Sequence, residues 1–331
     1  MTTKVQTTAL AASESARQKP ADNSTLVLLA FAVVYIVWGS TYFAIRIGIE
    51  SIPPLILAGL RHLVVGLVFY PIFRHVSGER PNLRQWTTAG VTGVLLLLLG
   101  NGTVSWAEKV VPSGVAALLV ATVSLWMVLV DWLRPGGVRP AWRVIVGSIL
   151  GFGGMALLVG PRHLGGSERI DPIGAFALIA ASLAWGMGSI YSKHHPQPNS
   201  PLLGVAMQTL VGGTALCVAS VLTGDLRDFH LSAVTTRSWI ALVYLALFGS
   251  ALGLSAYVYI LKHSTAARVG TYAFVNPVVA LLIGWSLGGE PLSLRTLLAS
   301  GIILGAVLLV ITAPHKTPID ADEAIPAPGE A

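Results

Sequence analysis

The chain is short of charge. Asp, Glu, Lys and Arg supply 11% of its 331 residues, while 54% are hydrophobic. Soluble domains carry about 25% charged residues. Mean hydropathy is +0.73, and no single water-soluble core hides so large an apolar fraction. Cysteine is almost absent. Cys217 stands alone in an apolar run, which excludes an internal disulfide and a cysteine metal cluster. The sequence has no Gly-x-x-x-x-Gly-Lys-Ser/Thr loop, no His-Glu-x-x-His and no Gly-x-Ser-x-Gly elbow. Enzyme chemistry, ATP-driven work by this chain alone and a bound cofactor or metal are therefore not expected. No Asp or Glu falls at the centre of an apolar run, where proton-carrying transporters keep one. Proton coupling through a buried carboxylate is thus weakly supported. Residues 1–24 are polar and small, without the apolar core of a cleavable leader.

Long apolar runs are what the chain has. A spanning helix needs about 20 apolar residues. Ten runs qualify, near 26–46, 53–73, 86–107, 112–132, 142–160, 172–192, 201–222, 238–261, 267–287 and 295–313. Proline and glycine punctuate the breaks, at Pro53-Pro54, Pro135-Gly136-Gly137 and Gly288-Gly289-Glu290-Pro291 among others. The expectation is an all-α integral membrane protein in direct contact with the lipid bilayer. Residues 1–25 and 314–331 read as disordered tails. With the N-terminus inside, 13 of the 21 Lys and Arg residues fall on inner segments and 7 on outer loops. That bias puts both termini in the cytoplasm. The net charge of +6 is scattered over short loops, so it reports orientation and gives no reason to expect a nucleic-acid partner.

The chain also repeats. Trp38-Gly39-Ser40 matches Trp185-Gly186-Met187-Gly188-Ser189 at an offset of 147, and Pro54/Pro201, Arg61/Gln208 and Gly66/Gly213 share that offset. Trp106 and Lys109 match Tyr259 and Lys262 at an offset of 153. Residues 26–160 and 161–313 then form two halves of five spans each. Five is odd, so the second half enters the membrane inverted. Inverted repeats mark transporters that open a central site to either side in turn.

Substrate residues are sought among polar and aromatic groups deep in the runs. Trp38, Tyr42, Arg61, Asn101, Trp106, Trp185, Gln208, Tyr257, Tyr259, Tyr272 and Asn276 form that set. Flat apolar walls with a few polar handles suit a small amphipathic molecule, and aromatic faces suit a cationic one. Arg61 reads as a cavity cation facing a substrate carboxylate, or as a residue that snorkels or pairs with Glu50. His62 reads as structural. Trp132, Trp142 and Trp239, near span ends, read as the interfacial aromatic belt. Glu108, Asp131 and Glu290 fall at span ends, where capping or salt bridges are expected. Pro277, after Asn276, supplies a hinge or a kink. Gly147/Gly151, Gly249/Gly253, Gly284/Gly288 and Gly301/Gly305 have small-xxx-small spacing, for internal helix packing or, less readily, a dimer face. A monomer or weak homodimer is expected.

Several segments together resemble one family. They are Trp38-Gly39-Ser40-Thr41-Tyr42-Phe43, Ala58-Gly59-Leu60-Arg61, Gly100-Asn101-Gly102, Ala107-Glu108, Pro112-Ser113-Gly114-Val115-Ala116-Ala117, Tyr244 to Ser250 and Tyr272 to Ala280. Across residues 26–313 the chain is similar to the EamA-type members of the drug/metabolite transporter superfamily, and to the YedA-like bacterial inner-membrane exporters among them. The resemblance implies ten helices, two inverted EamA repeats and efflux of small metabolites. Amino acids, aromatic and threonine-like, and toxic organic cations are the substrates it implies. Two rivals stand beside it: an importer or exchanger of sugars or nucleotide-sugars with the same fold, and a membrane-embedded lipid-modifying enzyme.

Overall fold

The computed structural model describes residues 21–107, 109–111, 116, 119–137, 139–159, 171–227, 229–288 and 294–314. In chain order its main helices are α1 (Ala21–Gly48), α2 (Pro54–Ser77), α3 (Leu83–Ala107), α4 (Val123–Leu133), α5 (Trp142–Val159), α6 (Pro172–His194), α7 (Pro201–Leu222), α8 (Thr236–His263), α9 (Tyr272–Gly288) and α10 (Leu294–Ile311). A short helix, Ala266–Gly270, precedes α9. Helices are the form a chain takes where lipid offers its backbone no hydrogen bonds. Their starts are legible in the sequence. Asn82 and Gln85 form a capping box on α3, and Asp171, Ser200 and Thr235 cap α6, α7 and α8. Pro54, Pro172 and Pro201 occupy first turns, where a missing N–H costs nothing. The α2 start is also held from outside, by Asp225 Oδ2 accepting from Leu55 N at 3.1 Å.

α1, α2, α3, α6, α7 and α8 are long and apolar enough to cross a membrane, while α4, α5 and α10 are shorter apolar helices over their described residues. α9 has 17 residues. The chain is a multi-pass membrane protein, and its outer face agrees. Leu28, Val68, Phe176, Leu222 and Ile240 are each more than 45% exposed, a surface that fits lipid and not water. α1 begins at Ala21, so the last residues of the expected 1–25 tail are helical.

The two halves pack reciprocally. A Cβ on Gly66 of α2 would lie 2.6 Å from Leu210 Cα of α7, and one on Gly213 of α7 would lie 2.8 Å from Leu63 Cα of α2. Leu63 and Leu210 are themselves 147 apart. Gly39 of α1 lies against Val279 of α9, and Gly186 of α6 against Trp126 of α4. Trp38 covers Gly253 of α8, and Trp185 covers Gly100 of α3. Val279 and Trp126, like Gly253 and Gly100, are 153 apart. Each of these contacts therefore recurs with the halves exchanged, which is what a two-fold relation between them produces.

One packing expectation fails. Gly301 and Gly305 have no atom within 4 Å of where their Cβ would be. α10 buries Ala299, Ile303, Ala306, Val307 and Val310. That stripe at three- and four-residue spacing turns the two glycines outward. The α5–α10 contact is made instead by Gly147, which meets Ala306 and Val310, and by Gly154, which meets Ile303.

Candidate functional site

α3 and α8 each contain a nine-residue π-helical stretch, Val94–Gly102 and Leu245–Gly253. Such stretches recur at functional sites because the wider turn re-aims side chains. Between them lies a cavity of about 110 Å³, lined from α1, α2, α3, α4, α6, α8 and α9. A water molecule's share of liquid volume is roughly 30 Å³, so several waters or part of a small solute fit.

Its polar wall comes from α2 and α3. Arg61, 5% exposed, donates from Nη2 to Asn101 Oδ1 at 2.7 Å. Asn101 is presented by the π stretch, and its carbonyl accepts from Ser105 Oγ one turn on. His62, 4% exposed, lines the same wall, and neither ring nitrogen has a hydrogen-bond partner among the described residues. The described lining contains a guanidinium and no carboxylate.

The floor is aromatic. Trp38 meets Trp185 edge-on at 5.6 Å between centroids and Tyr272 at 5.1 Å. The Trp38 indole N–H donates to the Gly249 carbonyl of the α8 π stretch at 3.0 Å. A wider turn there leaves a carbonyl available for an indole that otherwise lacks an acceptor. Asn276 lines the cavity just before Pro277. With its amide assigned from its surroundings, it donates to the carbonyls of Tyr272 and Tyr35 at 3.1 and 3.3 Å.

Beneath the floor the helices are fastened, chiefly within the second half, with Ser124–Gly270 crossing between the halves. Trp185 Nε1 of α6 donates to Tyr257 OH of α8 at 3.1 Å, and the same hydroxyl meets Ser189 Oγ at 2.6 Å. Ser124 Oγ of α4 donates to Gly270 O at 2.7 Å. Lys193 Nζ donates to Ser264 O. On α6 the cavity touches Ala181, Ser182 and Trp185, whereas these fastenings run from Trp185 to Lys193. The closed side therefore lies toward the C-terminal end of α6. Removing the Tyr257 hydroxyl leaves the half-buried Trp185 N–H without this acceptor and the buried Ser189 hydroxyl without this partner, a loss of about 1–3 kcal/mol. Tyr257→Phe is expected to shift the protein toward opening on this side by roughly tenfold. Hydrogen exchange across 185–193 measures that, and unchanged protection would show that the hydroxyl does not hold the closure.

A model of the EamA-like transporter family matches residues 25–160 and again 172–312. The inner membrane transporter YedA of Escherichia coli K12, itself named as uncharacterized, is 39% identical over 291 residues, covering 87% of this chain and 92% of its own. The chain belongs to the EamA-like transporter family. A probable amino-acid metabolite efflux pump of Escherichia coli K12 is 27% identical over 86% of this chain and 91% of its own. A crystal structure 19% identical in sequence matches the fold with a TM-score of 0.69 over 86% of this chain and 97% of that one.

In this EamA-family chain, seven of the residues singled out by sequence share the cavity: Trp38, Tyr42, Arg61, Asn101, Trp185, Tyr272 and Asn276. Gly249 lines it too, closing on Thr41. Four do not line it. Trp106 is 38% exposed, because one residue past Ser105 a helix has turned 100° away. Tyr257 is fully buried under the Trp pair as a fastening. Tyr259, two residues on, faces the other way and stacks on His263 at 4.2 Å. Gln208 is buried in α7, outside the cavity, with its carbonyl close to Gly93 of α3.

The cavity also holds Thr41, His62, Ser105 and Ser182, which the sequence reading passed over or took as structural. Thr41 follows Trp38 by three residues and Ser105 follows Asn101 by four, so helical spacing was the signal that finds them. Asp131 makes a salt bridge with Arg134 at 2.8 Å, and His194 Nε2 lies 3.4 Å from the same carboxylate oxygen. Glu108 and Glu290 lie outside the described residues. Trp132, Trp142 and Trp239 are 40–64% exposed near helix ends, where an aromatic belt belongs.

Proposed function

We propose that the protein is a secondary exporter of small amphipathic carboxylates, foremost amino acids of aromatic or threonine-like kind. It would work from the bacterial inner membrane with both termini in the cytoplasm. The observation that carries this reading is the cavity itself: a buried guanidinium held by Asn101, above an aromatic floor, with no carboxylate among the described lining. A guanidinium suits a carboxylate, and flat rings suit an apolar side chain. The positive charge in the described lining sets organic cations second. The named amino-acid efflux relative supports the substrate class, and the named inner-membrane relative supports the location.

The architecture proposed is ten membrane helices in two inverted five-helix repeats. The reciprocal contacts and the doubled family match support it. With the termini inside, the C-terminal end of α6 faces the cytoplasm. The fastened side is then the cytoplasmic one, and the cavity belongs to an outward-facing state.

Purified protein in proteoliposomes tests the proposal against a panel of amino acids, sugars and organic cations. Loaded aromatic amino acids are expected to leave down their gradient, faster than sugars and dications. Flux should persist without an imposed pH gradient, because the described lining offers no carboxylate to carry the proton. Movement of sugars alone would favour the exchanger reading, and movement of nothing in the panel would end the proposal.

A further inference from the structure

The reciprocal contacts give five of the cavity residues a polar counterpart on the fastened side. An offset of 147 takes Tyr42 to Ser189, Ile45 to Ser192, Arg61 to Gln208 and His62 to Thr209, and an offset of 153 takes Val104 to Tyr257. The first members of these pairs line the cavity. The second members are all polar and all at most 5% exposed. They lie in α6, α7 and α8, on the fastened side of the Trp38–Trp185 pair.

Gln208 is the most telling. It is 1% exposed, and neither its Oε1 nor its Nε2 has a hydrogen-bond partner among the described residues. An amide buried without partners is a standing cost to the fold. It is understandable where the same side chain meets water or a ligand in another conformation. Among the others, Ser189 bonds Tyr257, Ser192 Oγ accepts from Gln197, and Thr209 donates to the Val205 carbonyl. These bonds all lie within the second half, so opening between the halves leaves them intact.

We infer that Ser189, Ser192, Gln208, Thr209 and Tyr257 form the substrate half-site of the cytoplasm-open state. Exchanging the roles of the two halves opens this set and closes the present cavity. The solute then meets a neutral amide and hydroxyls from the cytoplasmic side and a guanidinium from the outer side. The ligand class is a zwitterionic or neutral polar amphiphile. This inference rests on the alternating-access reading above.

Site-resolved cysteine labelling tests it. Cys217→Ala removes the native thiol. A lock is available at Ser124→Cys/Gly270→Cys, since a Cβ on Gly270 would lie 3.4 Å from Ser124 Cβ, close to disulfide spacing. Gln208→Cys and Ser189→Cys are each labelled with a membrane-impermeant maleimide in inside-out vesicles and read by mass spectrometry. Val104→Cys is labelled from the outside. The near-isosteric Ser189 variant guards against misfolding of the first.

Both cytoplasmic-side variants are expected to react when the lock is reduced and at least tenfold more slowly when it is oxidised, with Val104→Cys changing in the opposite sense. If Val104→Cys responds to the lock but positions 208 and 189 stay unreactive in both states, the half-site is overturned and alternating access stands. If Val104→Cys is also indifferent to the lock, both fall together.

Discussion

A leucine at Gly213 is expected to leave no folded transporter. The α2–α7 crossing is made backbone to backbone, with a Cβ at Gly213 falling 2.8 Å from Leu63 Cα, and its mirror at Gly66 falling 2.6 Å from Leu210 Cα. Flexible side chains can yield to a new methyl, but two helix backbones cannot yield without moving both helices. Helix association in lipid depends on that close approach, because no hydrophobic driving force compensates for its loss. Gly213→Ala alone overpacks the crossing, at about 1–3 kcal/mol. Gly213→Leu adds three more carbons to the same clash. The control is Gly301→Leu, at a position with open space around it, and it should behave as the parent does.

Thermal stability of detergent-solubilised protein, followed by size-exclusion chromatography, reads all three. The expected order is Gly301→Leu equal to the parent, Gly213→Ala lowered, and Gly213→Leu aggregated. A monodisperse Gly213→Leu protein with the parent's melting temperature would mean the helices do not cross there. In that case the two-fold relation built on the crossing would go with it.

That crossing also shows what the sequence made legible. Gly66 and Gly213 were visible as a pair because duplication leaves a constant offset, and the structure turns that offset into a shared contact. The cavity residues on regular helix were legible for a similar reason. Trp38, Tyr42 and Arg61 lie deep in long apolar runs, where burial follows from hydropathy.

What was not legible is which side of the membrane each half currently presents. Arg61 and Gln208 are equivalent in sequence, yet one lines the cavity and the other is buried beyond the floor. On the alternating-access proposal such a pair has two arrangements, and a sequence specifies both. Rotational phase was the second gap. Trp106 and Tyr259 are at suitable depth but face away. The π stretches Val94–Gly102 and Leu245–Gly253 shift the phase of everything after them, and no hydropathy pattern announces a π turn. Gly301 and Gly305 failed for a third reason: small-residue spacing states that a close contact is possible, not which face of α10 has a neighbour.

Arg61→Gln is expected to lower carboxylate transport by about 10–150-fold in apparent affinity, the equivalent of one charge-assisted hydrogen bond worth about 1.5–3 kcal/mol. Burial sharpens the case. A guanidinium only 5% exposed is expensive to retain in a membrane interior, and Asn101 fixes it at the cavity wall at 2.7 Å. A substrate carboxylate reaching that wall gains a charge-assisted hydrogen bond. Arg61→Lys keeps the charge but cannot hold Asn101 and a carboxylate with one planar fork, so it should fall between the two.

The decisive comparison is between an amino acid and its amide. The parent protein should prefer the carboxylate, and the Arg61→Gln variant should lose that preference while still moving the amide. A general folding defect would depress both substrates alike, which separates it from a lost recognition contact. Undiminished carboxylate flux in the variant would assign Arg61 to helix packing and leave the aromatic floor to select the substrate.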